Sequence, residues 1–403
     1  MTRVAEQRGL IEAPVLDIDP YAIDVLENPY PFHERLRDAA PVVRIKAHGV
    51  YAVGRHAEAA EVLNDPARFT AAGGIGIQDI RKPGEFRVPN RLLENDPPSH
   101  TSMRGVLSRL LSPIVIRGWR DHFESEARKV ADMIVDMGEF DGVENVAEEY
   151  VLRVFPEALG VKLPRKNVLA IGEMRFNQSG PQNELYRRAL EKAQPYLEWF
   201  ESSTQRKNVT PGSISDMLFV CEEKGELDEG VASNMVRTFV GGGTDSTITG
   251  IGHTLNLLAQ NPDQFAEVKA NPNKVKSGFE EALRMETPFQ VTYRTTTGET
   301  SLSGIRLDPD TKIGVFLGSA NRDPRKWQNP DRFDASRDTA GIHVGFGVGA
   351  HICIGQMIAR LEAEAILKAI VASVEKLEPA GPPRFRPINQ MRQLDYLPLY
   401  VTR

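Results

Sequence analysis

Apolar and polar positions change period along this chain, and the changes divide it into elements. Tyr30–Ala39, YPFHERLRDA, carries apolar residues at helical spacing. The stretch PVVRIKAHGVYAVGR (41–55) then alternates around a His48-Gly49 turn, which predicts a β-hairpin. A long Gly- and Pro-punctuated connection, 70–98, follows; connections of that length in a compact chain usually carry function. From His100 to about Met285 helical patterns dominate, with breaks expected near Pro156, Pro164, Pro181 and Pro211. Within them, 228–259 reads as one long helix, capped near Leu227-Asp228 and stopped before Pro262. At ~1.5 Å per residue its ~30 residues span roughly 45 Å. Its middle holds Gly241, Gly242 and Gly243, each costing about 1 kcal/mol relative to alanine; two shorter helices joined by a GGG turn are the other reading. A β-rich stretch (296–316), an irregular region (320–343), one more helix and short strands complete the chain. The pattern describes a mainly α fold with a smaller β region.

Composition changes this picture little. The 403 residues are 41% hydrophobic and 26% charged, an ordinary globular balance with no linker, repeat or charge block to divide it, so residues 1–403 read as a single domain. The net charge of −6 argues against a nucleic-acid partner. No apolar run approaches membrane-spanning length, and the polar N-terminal stretch, interrupted by Pro14 and Pro20, lacks the core of a signal peptide. A cytoplasmic protein is expected. Two cysteines, Cys221 and Cys353, do not make a disulfide scaffold; Cys221 reads as a small apolar residue near a helix end.

Cys353 is different. It lies in FGVGAHICIG (346–355), a glycine-loosened loop before a helical stretch, where the helix N-terminus is expected to lower a thiol pKa. Glycines at 347, 349 and 355 let a flat ligand approach the backbone, and Phe346 can shield the sulfur. Such a thiolate pocket suits an axial ligand to haem iron. A lone cysteine in a turn would read as structural; the full F-x-x-G-x-x-x-C-x-G spacing reverses that. On the central helix, Asp245 and Ser246 follow the glycines, and a carboxylate beside a hydroxyl can relay protons. Glu281 and Arg284 share a helix face at i, i+3. His100 and Arg104, at i, i+4 in DPPSHTSMR, join Arg294 and His351 as groups suited to carboxylates converging from different elements.

These motifs, in this order, resemble the cytochrome P450 family from end to end. The resemblance implies haem b, with Cys353 as iron ligand and Phe346 beside it. It makes Asp245 and Ser246 the proton-delivering pair, although serine stands where the family usually has threonine and loses a β-branch that restricts its rotamer. Thr247 offers a second hydroxyl about 100° round the helix. His100, Arg104, Arg294 and His351 match haem-contact positions, while His343, His253 and His122 read as structural. Glu281, Arg284 and Arg332, the last in NPDRF, complete a buried architectural cluster. The implied activity is monooxygenation with O2, electrons arriving from an iron–sulfur ferredoxin and a flavin reductase using NAD(P)H. Arg109, Arg117 and Arg120 are candidates for that docking face, with a solvated helix surface the other reading. A peroxide-driven peroxygenase is a second enzyme reading, disfavoured by the acid–hydroxyl pair, and a non-catalytic haem-thiolate sensor is a third of another class.

The segments around 96–100, FNQSGPQNELYRRAL, YRTTT and FLGSANRDP are similar to those of bacterial members that demethylate or hydroxylate para-substituted benzoates. There a basic loop residue and small polar residues of the central helix grip the substrate carboxylate. Here those positions fall at Gly73 and Gly241, which removes charge and donors, so the expectation is a neutral small aromatic such as a methoxyphenol or alkylguaiacol, with a 4-methoxybenzoate-type acid as the alternative. Arg81, Lys82, Arg87 and Arg237 stay nearby in sequence. Phe176, Thr238, Gly241, Phe289 and Thr292 are the candidate substrate wall.

Overall fold

A computed structural model describes residues 12–82 and 89–403. Tyr30–Ala39 is helical at the expected bounds. The alternating stretch forms the expected hairpin, Val43–Ile45 antiparallel to Val50–Val53, with Gly49 at φ +66° in the turn. Val50–Val53 pairs in parallel with Lys312–Phe316, which runs antiparallel to Val291–Thr296. With Val15–Leu16 and Phe69–Thr70 at its edges this is a mixed six-stranded sheet. Val291–Thr296 is buried at every position, as a strand covered on both faces must be.

The helical half packs around the central helix, observed as Val231–Gln260. It starts later than expected because Gly230, at φ +80°, holds a left-handed conformation that cannot continue a helix. It passes unbroken through its three glycines, and each has a different neighbour. A Cβ on Gly243 would sit 2.6 Å from Phe155 Cζ, and one on Gly241 would sit 2.4 Å from Arg175 Nε. A Cβ on Gly242 would meet nothing within 4 Å. Two glycines thus admit a crossing side chain and the third opens onto a cavity. Packing, not chain reversal, explains them.

The break expected at Pro156 does not occur: Glu149–Leu159 runs through it and ends at Gly160, φ +78°. Proline costs a helix interior about 3 kcal/mol. This helix buries Tyr150, Val151, Val154, Phe155, Ala158 and Leu159, and at about 1.5–3 kcal/mol for each larger apolar side chain that burial outweighs the penalty. The breaks near Pro164, Pro181 and Pro211 fall between helices, Pro164 preceding Arg165–Gln178 directly.

Glu281 and Arg284 lie on Val275–Glu286, fully buried and doubly bonded, Arg284 Nε to Glu281 Oε2 at 2.7 Å and Nη2 to Oε1 at 2.9 Å. The arginine that completes this cluster is Arg337, whose Nε donates to Glu281 Oε1 at 2.9 Å. Arg332 is corrected to a different place: its side chain is exposed, and it contributes a carbonyl 3.3 Å from Arg337 Nη2. The turn at 334–337 brings the later arginine inward.

Candidate active site

The loop 346–355 wraps one wall of a cavity whose opposite wall is the central helix. Phe346, Gly347, Val348, His351, Cys353 and Gly355 line it from one side, and Gly241, Gly242, Gly243, Ser246 and Thr247 from the other. The Cys353 amide donates to the Phe346 carbonyl at 2.8 Å and closes the loop. Gly347 and Gly349 hold φ +69° and +74°, and a Cβ on Gly349 would sit 2.7 Å from Asn64 Oδ1. The helix Gln356–Ser373 begins directly behind Cys353. Cys353 is exposed on the cavity side, yet the protein atoms crowded around it desolvate the thiol and push it up, against the pull of the Gly355 and Gln356 amides and the Arg104 charge, which corrects the expected net lowering. Deprotonation here asks for a stronger partner than a helix end, and a metal ion is one.

Beside this loop the rings of His100 and His351 lie 4.2 Å apart. All four of their ring nitrogens are buried without a hydrogen-bond partner. Burial, then the nearby His351 and Arg104, push His100 down to about 4. Arg294 is buried as well and pushed down to about 10, with Nη1 on the Tyr293 carbonyl at 2.8 Å. Burial pushes the Asp96 carboxyl up, but His351, whose Nε2 is 3.9 Å away, the Thr70 hydroxyl and the Ala71 and Ala72 amides hold it at about 2. Buried ring nitrogens without partners are costly, and each neutral imidazole has one N–H to offer. Four such nitrogens beside two arginines and a cavity-facing sulfur fit a flat anionic macrocycle: the residues present match haem b, with Cys353 for the iron and His100, Arg104, Arg294 and His351 for the propionates.

Across the cavity, the Ser246 hydroxyl opens inward and donates to the Gly242 carbonyl at 2.8 Å; Thr247 also reaches the wall and donates to Gly243 at 2.9 Å. Asp245 points away from the cavity. Its Oδ1 lies 3.5 Å from Gln393 Nε2 and its Oδ2 has no partner. A Cβ on Gly172 would fall 1.8 Å from that oxygen, so glycine is what leaves the carboxyl room. Burial, then the charge of Glu148, push Asp245 up to about 7. A second buried carboxyl was not foreseen: Glu362, on Gln356–Ser373, lines the cavity with Oε1 unpartnered, and burial pushes it well up. Its only signal is an acid among apolar positions in ARLEAEAIL. His343 and His253, expected to be structural, are bonded to Glu280 at 2.9 Å and to the Arg392 carbonyl at 2.8 Å.

Phe176, Thr238, Gly241, Phe289 and Thr292 all line the cavity, with the Phe176 and Phe289 rings 6.1 Å apart. Gly73 is not among the described lining residues. Its Cβ would collide with Thr295 Oγ1 at 2.3 Å, and its carbonyl accepts from Lys312 Nζ at 2.8 Å. Gly241 is covered by Arg175, a cation in the wall that the sequence reading missed. The two departures behind the neutral-substrate expectation therefore do not leave a wall without charge. Arg81 is bound to Asp79 and Asp310 at the surface, Lys82 is exposed, Arg237 pairs with Glu201, and Arg87 lies outside the described residues. Of the docking candidates, Arg109 pairs with Glu226, Arg120 with Glu124 and Glu364, and Arg117 is exposed.

No helix among the described residues is long and apolar enough to cross a membrane. Residues 164–387 match the family model "Cytochrome P450". The chain is 42% identical over 391 residues to "Cytochrome p450 CYP199A2" of Rhodopseudomonas palustris, covering 96% of this chain and 95% of that one. It is 26% identical to the "Biotin biosynthesis cytochrome P450" of Bacillus subtilis, covering 93% and 97%. Among solved structures it is similar to cytochrome P450 CYP109Q5 from Chondromyces apiculatus, with a TM-score of 0.79, 25% identity and coverage of 96% and 98%. It also resembles CalO2, with a TM-score of 0.80, 27% identity and coverage of 96% and 99%. The loop, the helix above it and these relatives agree: the chain belongs to the cytochrome P450 family, monooxygenases built on thiolate-ligated haem iron.

Proposed function

We propose that residues 1–403 act as one catalytic domain that hydroxylates or O-demethylates a small para-substituted aromatic, with electrons from an iron–sulfur ferredoxin and its flavin NAD(P)H reductase. The observation that carries this reading is the shared cavity: Cys353 and Ser246 open into one space whose lining also holds Phe176 and Phe289. Family membership supports O2 use and outside electrons, and the relative named CYP199A2 supports an aromatic substrate.

When bound, haem supplies the iron centre at which O2 is activated and a C–H bond is oxidised. Cys353 would hold the iron, and His100, Arg104, Arg294 and His351 the propionates. Overall, R–H, O2, two electrons and two protons give R–OH and water. With an aryl methyl ether the hydroxylated methyl is a hemiacetal, which collapses to a phenol and formaldehyde. Two protons must reach a largely apolar cavity; Asp245 is a buried carboxyl poised near neutral pH, and Glu362, pushed well up by burial, is a second. Ser246 carries the hydroxyl that faces inward. The two phenylalanines give an aromatic ring flat apolar contacts and keep water out.

The test is a holoenzyme assay with a plant-type or bacterial ferredoxin, reductase and NADH, with 4-methoxy-substituted aromatics as probes. Formaldehyde and phenol should appear in equal amounts, and peroxide alone should support far less turnover. Cys353→Ser should fold yet lose both the thiolate-type Soret band of the reduced carbon monoxide complex and the NADH-driven turnover. Retention of that band in the variant would refute the ligand assignment. Consumption of NADH without product from every aromatic tried would instead favour a sensor. Ser246→Thr is expected to raise product per NADH, because the added methyl restricts the hydroxyl rotamer, and Ser246→Ala to lower it.

A further inference from the structure

We infer that Arg360 is a positioning charge whose guanidinium, held over the Phe346 ring, raises the reduction potential of the iron bound at Cys353; the inference rests on Cys353 being the iron ligand and not on the aromatic substrate. Arg360 lies seven positions after Cys353, about two turns along Gln356–Ser373. Its Cζ sits 4.7 Å from the centroid of the Phe346 ring, within the range at which a cation is drawn to an aromatic face. Phe346 supplies the carbonyl that accepts the Cys353 amide at 2.8 Å, and both residues line the cavity. On a second path, Arg360 Nη1 donates to Gln356 Oε1 at 2.5 Å and Gln356 Nε2 donates to the Cys353 carbonyl at 3.0 Å. One guanidinium thus reaches the cysteine twice, through a ring and through an amide.

A buried acid fixes the guanidinium there. Arg360 Nε donates to Glu280 Oε1 at 2.6 Å and Nη2 to Oε2 at 3.1 Å, a two-pronged pair. His343 Nε2 lies 2.9 Å from Glu280 Oε2, and His343 Nδ1 accepts from the Gly345 amide at 3.0 Å. That amide sets the tautomer, so Nε2 carries the hydrogen given to Glu280. One carboxylate therefore joins the segment that enters the cysteine loop to the helix that leaves it. With all three guanidinium nitrogens engaged, the charge stays beside the ring. Arg360 is within electrostatic reach of the Cys353 sulfur, as is Arg104; Arg104 belongs with the groups assigned to the propionates, whose anions offset it. Reducing the iron by one electron adds a negative charge and takes up no proton. A cation nearby favours the reduced form, and the anionic sulfur opposes it. Because the electrons come from an outside carrier, this balance decides how readily they are passed on.

Spectroelectrochemical titration of the holoprotein, with no ferredoxin present, tests this. Arg360→Met keeps an apolar stem against the ring and removes the charge. It should shift the one-electron equilibrium about tenfold toward the oxidised form, a potential lower by about 59 mV. Arg360→Lys keeps the charge and should stay within about threefold of wild type, or about 28 mV. Glu280→Gln removes the opposing charge and should raise the potential by about threefold, again about 28 mV. Opposite signs for the two partners are what electrostatics requires, whereas a merely structural role would move both variants the same way. Haem content and the reduced carbon monoxide band report folding and ligation in each protein. With that band intact, an unchanged potential in Arg360→Met, an equal fall in Arg360→Lys, or the same sign for Arg360→Met and Glu280→Gln overturns the inference. A loss confined to ferredoxin affinity overturns it as well. If wild type lacks a thiolate-type band, or Cys353→Ser keeps one, the ligand reading fails and takes the inference with it. If the potential follows Arg360 as expected but no aromatic is oxidised, the inference stands and the proposed reaction fails.

Discussion

Asp245→Asn is expected to lower product formation by on the order of 100-fold and, at the same time, to make the protein more stable above neutral pH. Both effects have one cause. The Asp245 carboxyl is buried against Gly172 with one oxygen unpartnered, and burial followed by the charge of Glu148 pushes it up to about 7. In the unfolded chain an aspartate ionises near 3.8. Between those values the unfolded chain has released a proton that the folded protein retains. Stability therefore falls as pH rises through that window, and the penalty is complete above about 7. At 1.36 kcal/mol per pKa unit the penalty approaches ~4 kcal/mol, and relaxation at the site brings it to a few kcal/mol. Asparagine keeps the shape and does not ionise, so the variant's advantage should be small at pH 5 and larger at pH 8. Thermal midpoints of the holoprotein at the two values measure it. The loss of turnover follows because asparagine has no proton to pass on, so NADH consumption should continue with less product. A variant equally stabilised at both pH values, or one that turns over like wild type, would show that Asp245 is neither titrating nor relaying.

That pairing of effects was only half legible in the sequence. The Asp245-Ser246 dipeptide was visible, because it lies in a motif; the wall behind it was not, because Gly172 and Gln393 come from elements far along the chain. The same contrast runs through the molecule. The hairpin at 43–53 and the helix Tyr30–Ala39 follow from local periodicity, and the structure has both. The Cys353 loop could be placed from spacing alone, yet the balance between its burial and its helix end could not. Gly241 reads in one dimension as a lost polar side chain. In three it is the space that Arg175, 66 positions earlier, occupies. Pro156 shows the reverse error, where a strong local signal yields to the burial of one helix face. Arg332 and Arg337 are five positions apart in an irregular stretch with no period to say which faces in, and only the turn at 334–337 decides it.

Arg284→Leu is expected to be the most damaging single change away from the cavity. Glu281 and Arg284 are wholly buried, and removing Arg284 strips Glu281 Oε2 of its partner and leaves Arg337 alone on Oε1, at a cost of about 3 kcal/mol. The loss also reaches the haem loop. Arg284 Nη1 donates to the Asn321 carbonyl at 2.8 Å, and Asn321 Oδ1 accepts from the Val344 amide, two residues before Phe346. Without the arginine, the residue that anchors the start of that loop loses its own support. Arg337→Ala should cost less, about 1–3 kcal/mol, because Arg284 still pairs with Glu281 while three loop carbonyls lose a donor. Arg332→Ala should stay within about 0.5 kcal/mol, as an exposed side chain does. Urea unfolding of the three holoproteins, read together with haem retained per chain, separates these outcomes. Equal losses for Arg332→Ala and Arg337→Ala would mean that the cluster is closed by the earlier arginine after all. Normal haem retention in Arg284→Leu despite its lost stability would mean that Asn321 holds the loop unaided.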